Sequence, residues 1–240
     1  MRKSKMFDKV TKTWNPVVTY PCYHHCKYCW VHVIVEKYKL KTYLESKGKP
    51  ILLKHRLREK FEPNDFVFVC DTSDLFAEVV PSEYIRRVID VVKKFPKTTF
   101  LFLTKNPKRY CEFLWEFPEN AILGITYETD NDILYTKYKV SRAPTPHTRI
   151  EAMKFIKSWR PNLKRFISIE PVIDFNLEVM LNDILDVEPH IVYIGYDNYG
   201  VLARYGIPEP PLNKTLELVD RLKSHGIEVR VKTLRKSWCE

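Results

Sequence analysis

An alternation constrains this chain more than any other feature: short runs rich in β-branched and aromatic residues recur with helical patterns between them. The runs cover residues 17–20, 66–70, 99–103, 122–127, 165–169, 191–194 and 228–231. Helical patterns fill roughly 27–40, 82–95, 108–115, 149–159, 177–185 and 215–224. Strands separated by crossover helices predict βαβ units and a parallel sheet, so the class is α/β, either doubly wound or a complete or partial barrel. Local punctuation agrees. Pro81-Ser82-Glu83 opens one helix, Pro107 another, Asn213 precedes the last, and Gly226 after His225 stops it.

In a barrel the working face lies at the carboxyl ends of the strands. Polar residues should gather there, and they do. The second run leads into Cys70-Asp71-Thr72-Ser73-Asp74, the third into Thr104-Lys105-Asn106, and the fourth into Thr126-Tyr127-Glu128-Thr129-Asp130. Ser168-Ile169-Glu170-Pro171, Gly195-Tyr196-Asp197-Asn198 and Lys232-Thr233 follow the last three. Each group alone reads as a helix cap or turn. Together they predict a lined pocket. Segments 41–64 and 129–148 are long for a compact domain and read as covers or as carriers of helices of their own. The first is basic (Lys47, Lys49, Lys54, His55, Arg56, Arg58), with a short helix predicted over 52–60; 201–212 reads as a connector.

A length of 240 residues fits one large domain, 1–240, with its core over about 14–232. Hydrophobic residues at 45% exclude a disordered chain. No apolar run reaches the roughly 20 residues needed to span a bilayer. The basic N-terminus has no apolar h-region behind it, so a cytosolic protein is expected. A formal charge of +10 favours a polyanionic partner such as nucleic acid, although lysines such as Lys93, Lys94 and Lys97 also read as a solvated helix face.

Of six cysteines, three fall within eight positions as a CxxxCxxC triplet, Cys22, Cys26 and Cys29. This is no disulfide framework. Structural zinc wants four protein ligands, whereas an iron-sulfur cubane held by three thiolates keeps one iron open to an external ligand. A helix beginning near Cys26 would put Cys26 and Cys29 on one face. The residues also allow a zinc knuckle completed by His24, His25 or His32, or three ordinary thiols.

The triplet, with aromatic Tyr28 before its third cysteine, resembles the radical S-adenosylmethionine (SAM) superfamily. Asp71-Thr-Ser-Asp74, Glu83, Phe102-Leu-Thr-Lys105, Tyr127-Glu128 and Arg142 to Ala152 resemble its spore photoproduct lyase-like branch. Trp14-Asn15-Pro16 and Ser168 to Pro171 resemble a phage-encoded family of unknown function in the same superfamily. The resemblance implies a partial (β/α) TIM-type barrel with parallel strands. It implies a [4Fe-4S] cluster on Cys22, Cys26 and Cys29, and reductive cleavage of SAM to a 5′-deoxyadenosyl radical that abstracts hydrogen from a substrate, with an external electron donor. Tyr28 would lie near the adenine and Arg149 would pair with the SAM carboxylate. Thr126 and Glu128 would meet the ribose or the positive centres. Thr72 and Ser73 would meet the amino group, in place of a Gly-Gly-Glu motif absent here. Lys105 and Glu170 would serve SAM or substrate, or Lys105 would form a salt bridge with Glu128 or Glu170. Photoproduct lyase proper uses a cysteine as hydrogen donor, which makes Cys70 and Cys239 candidates for that role. The competing reading is a zinc- or cluster-stabilised nucleic-acid-binding protein without SAM cleavage.

Overall fold

The computed structural model describes residues 6–240, so the first five residues of the basic N-terminus lie outside the described part. Nine strands form: β1 (Lys12–Trp14), β2 (Val17–Val18), β3 (Ile51–Leu52), β4 (Phe66–Val69), β5 (Thr99–Thr104), β6 (Ala121–Thr126), β7 (Lys164–Ile169), β8 (Ile191–Ile194) and β9 (Glu228–Val231). The main helices are α1 (Val31–Tyr38), α2 (Lys41–Ser46), α3 (Ser82–Lys93), α4 (Lys108–Cys111), α5 (Asp132–Lys137), α6 (Pro146–Trp159), α7 (Leu177–Val187), α8 (Val201–Arg204) and α9 (Leu212–Ser224). No helix among the described residues is long and apolar enough to cross a membrane.

The chain divides into two compact units. In the first, which runs to His25 and then covers Cys29–Gly124 and Asn162–Lys164, the sheet order is β1-β4-β5-β6. The β1–β4 and β4–β5 pairs are parallel. β4 and β5 are almost continuously apolar and buried, as strands covered on both faces must be. Helix α3 buries Ile85, Val88, Ile89 and Val92 at i, i+3, i+4 and i+7. Phe76, Phe102, Tyr110 and Phe117 pack edge to face, and Tyr110 donates its hydroxyl to the carbonyls of Phe102 and Gly124.

In the second unit the order is β6-β7-β8-β9, with β7–β8 and β8–β9 parallel. Asn131 and Asn176 cap α5 and α7 by accepting the Leu134 and Val179 N–H groups. Arg165 is nearly buried and donates to the Val187, Glu188 and Pro161 carbonyls, satisfying the end of α7. Tyr135, Val140, Ile173, Leu202 and Ile207 form a core cluster with Tyr28 packed against it.

Several expectations are corrected. The first sheet strand is Lys12–Trp14, not the run 17–20. Pro16 has no N–H to continue a ladder, so Val17–Val18 turns away and pairs antiparallel with Ile51–Leu52. The predicted helix over 52–60 is a single 3₁₀ turn, Arg56–Arg58. Its backbone is captured from elsewhere: the Leu53 N–H goes to the Pro16 carbonyl at 2.8 Å, and the Arg56 carbonyl takes the Trp14 indole N–H at 2.9 Å. Helix α1 starts at Val31, with Val31 and Val35 buried, so Cys26 and Cys29 lie in the irregular segment ahead of it rather than on a helix face. The connector 201–212 holds the short α8, and α4 stops at Cys111.

Candidate functional site

Polar residues do follow the sheet strands where expected: Cys70 to Asp74 after β4, Lys105 after β5, Tyr127 and Glu128 after β6, Glu170 after β7, and Lys232 after β9. In the first unit these residues organise around Asp74. Its carboxylate accepts the Thr104 hydroxyl (2.7 Å), the Phe76 N–H (2.9 Å), the Lys105 N–H (2.8 Å) and a bond from His24 Nε2 (2.9 Å). Burial pushes the Asp74 pKa up, but His24 and the converging donors outweigh it, so the carboxyl titrates below its usual range. His24, weighed from sequence as a zinc ligand, is a partner of Asp74 through Nε2. The residues that bracket Asp74 in its motif are also engaged. Thr72 Oγ1 bonds Asn15 Oδ1 (2.9 Å) and the Tyr43 hydroxyl (2.6 Å), and Ser73 Oγ accepts the Thr19 N–H (2.9 Å). Asn15 also donates to Asp71 at 2.6 Å, so the Trp14-Asn15-Pro16 motif is a brace for the β4 loop and for β3. Cys70 is buried, its thiol donating to the Val17 carbonyl, and burial pushes its pKa up to about 12.

The second unit is organised by Glu128, fully buried. One oxygen accepts the Tyr28 hydroxyl; the other pairs with Arg149 Nη1 at 2.7 Å. Arg149, also fully buried, donates to the Thr126 carbonyl and lies 5.0 Å from the Tyr135 ring centre. Burial works against its charge, yet Glu128 and the neighbouring phenols raise its pKa. Its Nε and Nη2 have no hydrogen-bond partner among the described residues. These two atoms form the edge with which a guanidinium clamps a carboxylate. Burial, then the Glu128 and Cys26 charges, hold the Tyr28 phenol well above its ordinary pKa.

Glu170 takes Lys232, at 2.8 Å. Burial raises its pKa against the opposing effect of Lys232. Gly195 makes room for this pair. A Cβ there would sit 3.1 Å from Glu170 Oε1 and 3.2 Å from both Lys232 Cβ and the Thr233 nitrogen. Lys232 ended the last run in sequence but was assigned no partner, because no local spacing links it to a residue 62 positions earlier.

Cys22, Cys26 and Cys29 are half-buried. As a donor set they fit a three-thiolate cluster. Among the described residues no group of three His, Cys, Asp or Glu side chains is placed to hold a metal ion. Cys239 is exposed on the terminal segment.

Residues 5–197 match the family described as protein of unknown function DUF5131. The chain belongs to that family. No curated protein matches it. Among solved structures it is similar to a spore photoproduct lyase variant with bound AdoMet and dinucleoside spore photoproduct, with a TM-score of 0.62 at 11% identity, covering 98% of this chain and 81% of the lyase. It is also similar to Streptococcus suis SuiB bound to S-adenosylmethionine, with a TM-score of 0.55 at 9% identity over 94% of this chain. The chain spans about half the length of SuiB. Both of these structures hold S-adenosylmethionine. The partial (β/α) barrel of TIM type expected from the sequence is therefore the fold of this DUF5131 member.

Proposed function

We propose that the chain is a radical SAM enzyme, with Cys22, Cys26 and Cys29 holding a [4Fe-4S] cluster. The observation that carries the reading is the tie between Tyr28, inside the cysteine triplet, and the Glu128–Arg149 pair at the end of β6, in a fold shared with two SAM-binding proteins. When bound, the cluster would supply one-electron reduction of the SAM sulfonium, the source of a hydrogen-abstracting radical. The chain's own residues position the cofactor. Tyr28 offers a ring face to the adenine and is held in orientation by its hydroxyl bond to Glu128. Arg149 offers its Nε–Nη2 edge to the SAM carboxylate while Nη1 stays on Glu128. Thr126 brackets the same strand end. Thr72 and Ser73, already bonded to Asn15, Tyr43 and Thr19, shape the β4 loop and offer at most a remaining lone pair to the amino group. Lys105 and Glu170 are left as candidates to handle substrate; Glu170, titrating above its usual range, can hold a proton closer to neutral pH than an ordinary glutamate. An external donor delivers the electron.

Anaerobic reconstitution with iron and sulfide, then reduction in the presence of SAM, tests the reading. Cluster incorporation and release of 5′-deoxyadenosine are expected, both lost in Cys26→Ala. Stoichiometric zinc with no iron uptake, or a reducible cluster that never cleaves SAM, would overturn it.

A further inference from the structure

The excess positive charge of this chain is not spread over its surface. Between residues 37 and 60 there are nine Lys and Arg against two carboxylates, Glu45 and Glu59. One tenth of the sequence therefore carries +7 of a formal +10. In the structure this segment is α2, β3 and the 3₁₀ turn, an arm inserted between the cysteine stretch and β4. Lys47, Lys49, Lys54, Arg58 and Lys60 are exposed on it, and none forms an ion pair among the described residues. Only Lys39, Lys41 and Arg56 reach carboxylates, at 3.3, 3.8 and 2.9 Å.

The arm is fastened at the entrance to the cysteine stretch. Ser46 Oγ accepts the Tyr20 N–H at 2.7 Å and donates to the Tyr20 carbonyl at 2.8 Å. The Gly48 N–H also donates to that carbonyl at 2.7 Å, from a φ of +78° that favours glycine. Tyr43 ties α2 to Thr72 in the β4 loop, and β3 pairs with β2. The cation-rich arm is thus fastened to Tyr20, two residues before Cys22. Uncompensated lysines and arginines repel one another, and a phosphate backbone relieves that repulsion by releasing its counterions. Two features favour nucleic acid over an anionic membrane. The segment contains neither Trp nor Phe to enter an interface, and its longest helix, α2, has six residues. Exposed Tyr38 at its start gives a base a stacking face.

We propose that residues 37–60 are a nucleic-acid docking arm, contacting the phosphate backbone through Lys47, Lys49, Lys54, Arg58 and Lys60. As a route for substrate delivery this rests on the radical SAM reading; as a binding surface it does not. The test is fluorescence anisotropy of the full chain, without iron or SAM, titrated onto labelled ~20-nucleotide single-stranded DNA, RNA and duplex across a salt series. Lys47→Ser/Lys49→Ser/Lys54→Ser is expected to weaken binding at least about tenfold near 0.1 M salt and to flatten the log–log salt slope by about 2. The corresponding Lys→Arg triple should retain binding, which separates charge from fold. Lys94→Ser/Lys97→Ser/Lys223→Ser, on exposed lysines elsewhere, should leave it unchanged. Equal loss in both serine triples, no loss in the arm triple, or arm-dependent binding to phosphatidylserine vesicles without binding to nucleic acid would overturn the proposal. Arm-dependent binding by a protein that fails to cleave SAM would sink the enzymatic reading and leave the arm standing.

Discussion

Two buried carboxylates each hold a residue of the Cys22–Cys29 stretch, and they do so by different physics. Asp74, in the first unit, holds His24 and is otherwise satisfied by neutral donors, two of them backbone N–H groups. Glu128, in the second, holds Tyr28 and is neutralised by Arg149, a cation that keeps its proton under all working conditions. A carboxylate surrounded by hydrogen bonds tolerates loss of any one donor. A fully buried ion pair does not tolerate loss of either member, because the survivor is left charged in a low dielectric.

The contrast breaks most clearly at Arg149. Arg149→Met should destabilise the protein by about 3–5 kcal/mol in urea unfolding, and adding Glu128→Gln should restore part of that loss. Additive losses in this double-mutant cycle would mean that the two groups are not coupled. Asp74→Asn should cost about 2–3 kcal/mol, since a charged acceptor is lost while most of its donors remain. This group also sets a pH signature. The folded pKa of Asp74 is depressed, so its contribution is present above the unfolded value of about 3.9 and disappears as pH falls through the folded pKa. Thermal melts of the parent should therefore drop below about pH 4, with a shallower fall in Asp74→Asn. An unchanged acid limb would show that Asp74 is not the group responsible.

Smaller effects test the surroundings of each hub. Gly195→Ala, whose methyl would press on Glu170 and on the Thr233 backbone, should cost about 1–2 kcal/mol by denaturation and disturb the Glu170–Lys232 pair. Ser46→Ala removes both bonds to Tyr20 and should cost about 1 kcal/mol; limited proteolysis between 41 and 60 should become faster. Unaltered cleavage would mean that the arm is held chiefly by the β2–β3 pairing.

Much of the fold was legible because periodicity is local. The buried strands β4, β5, β6, β7 and β8 announce themselves as apolar runs, and α3 by its i, i+3, i+4 spacing. β1 escaped, since two half-exposed residues and the buried Trp14 carry almost no pattern; only its pairing with β4 makes it a strand. The 52–60 helix failed for the converse reason: Trp14 took the Arg56 carbonyl that a helix would have paired internally, and the Leu53 N–H, unpaired in a first helical turn, went to Pro16. At the site, the sequence placed Lys105, Glu128, Arg149 and Glu170 at strand ends or on the next helix, but it did not pair Glu170 with Lys232.

What the chain's order of residues determined alone is the α/β alternation, three thiols within eight positions, and a polar residue at the mouth of nearly every sheet strand. What tertiary structure decided is who binds whom. His24 meets Asp74 across 50 positions and Tyr28 meets Glu128 across 100. Short-range spacing encodes which face a side chain takes, because backbone geometry repeats every two or 3.6 residues. It says nothing about partners that only a folded sheet brings together, and a buried carboxylate takes whichever donor the fold puts within reach.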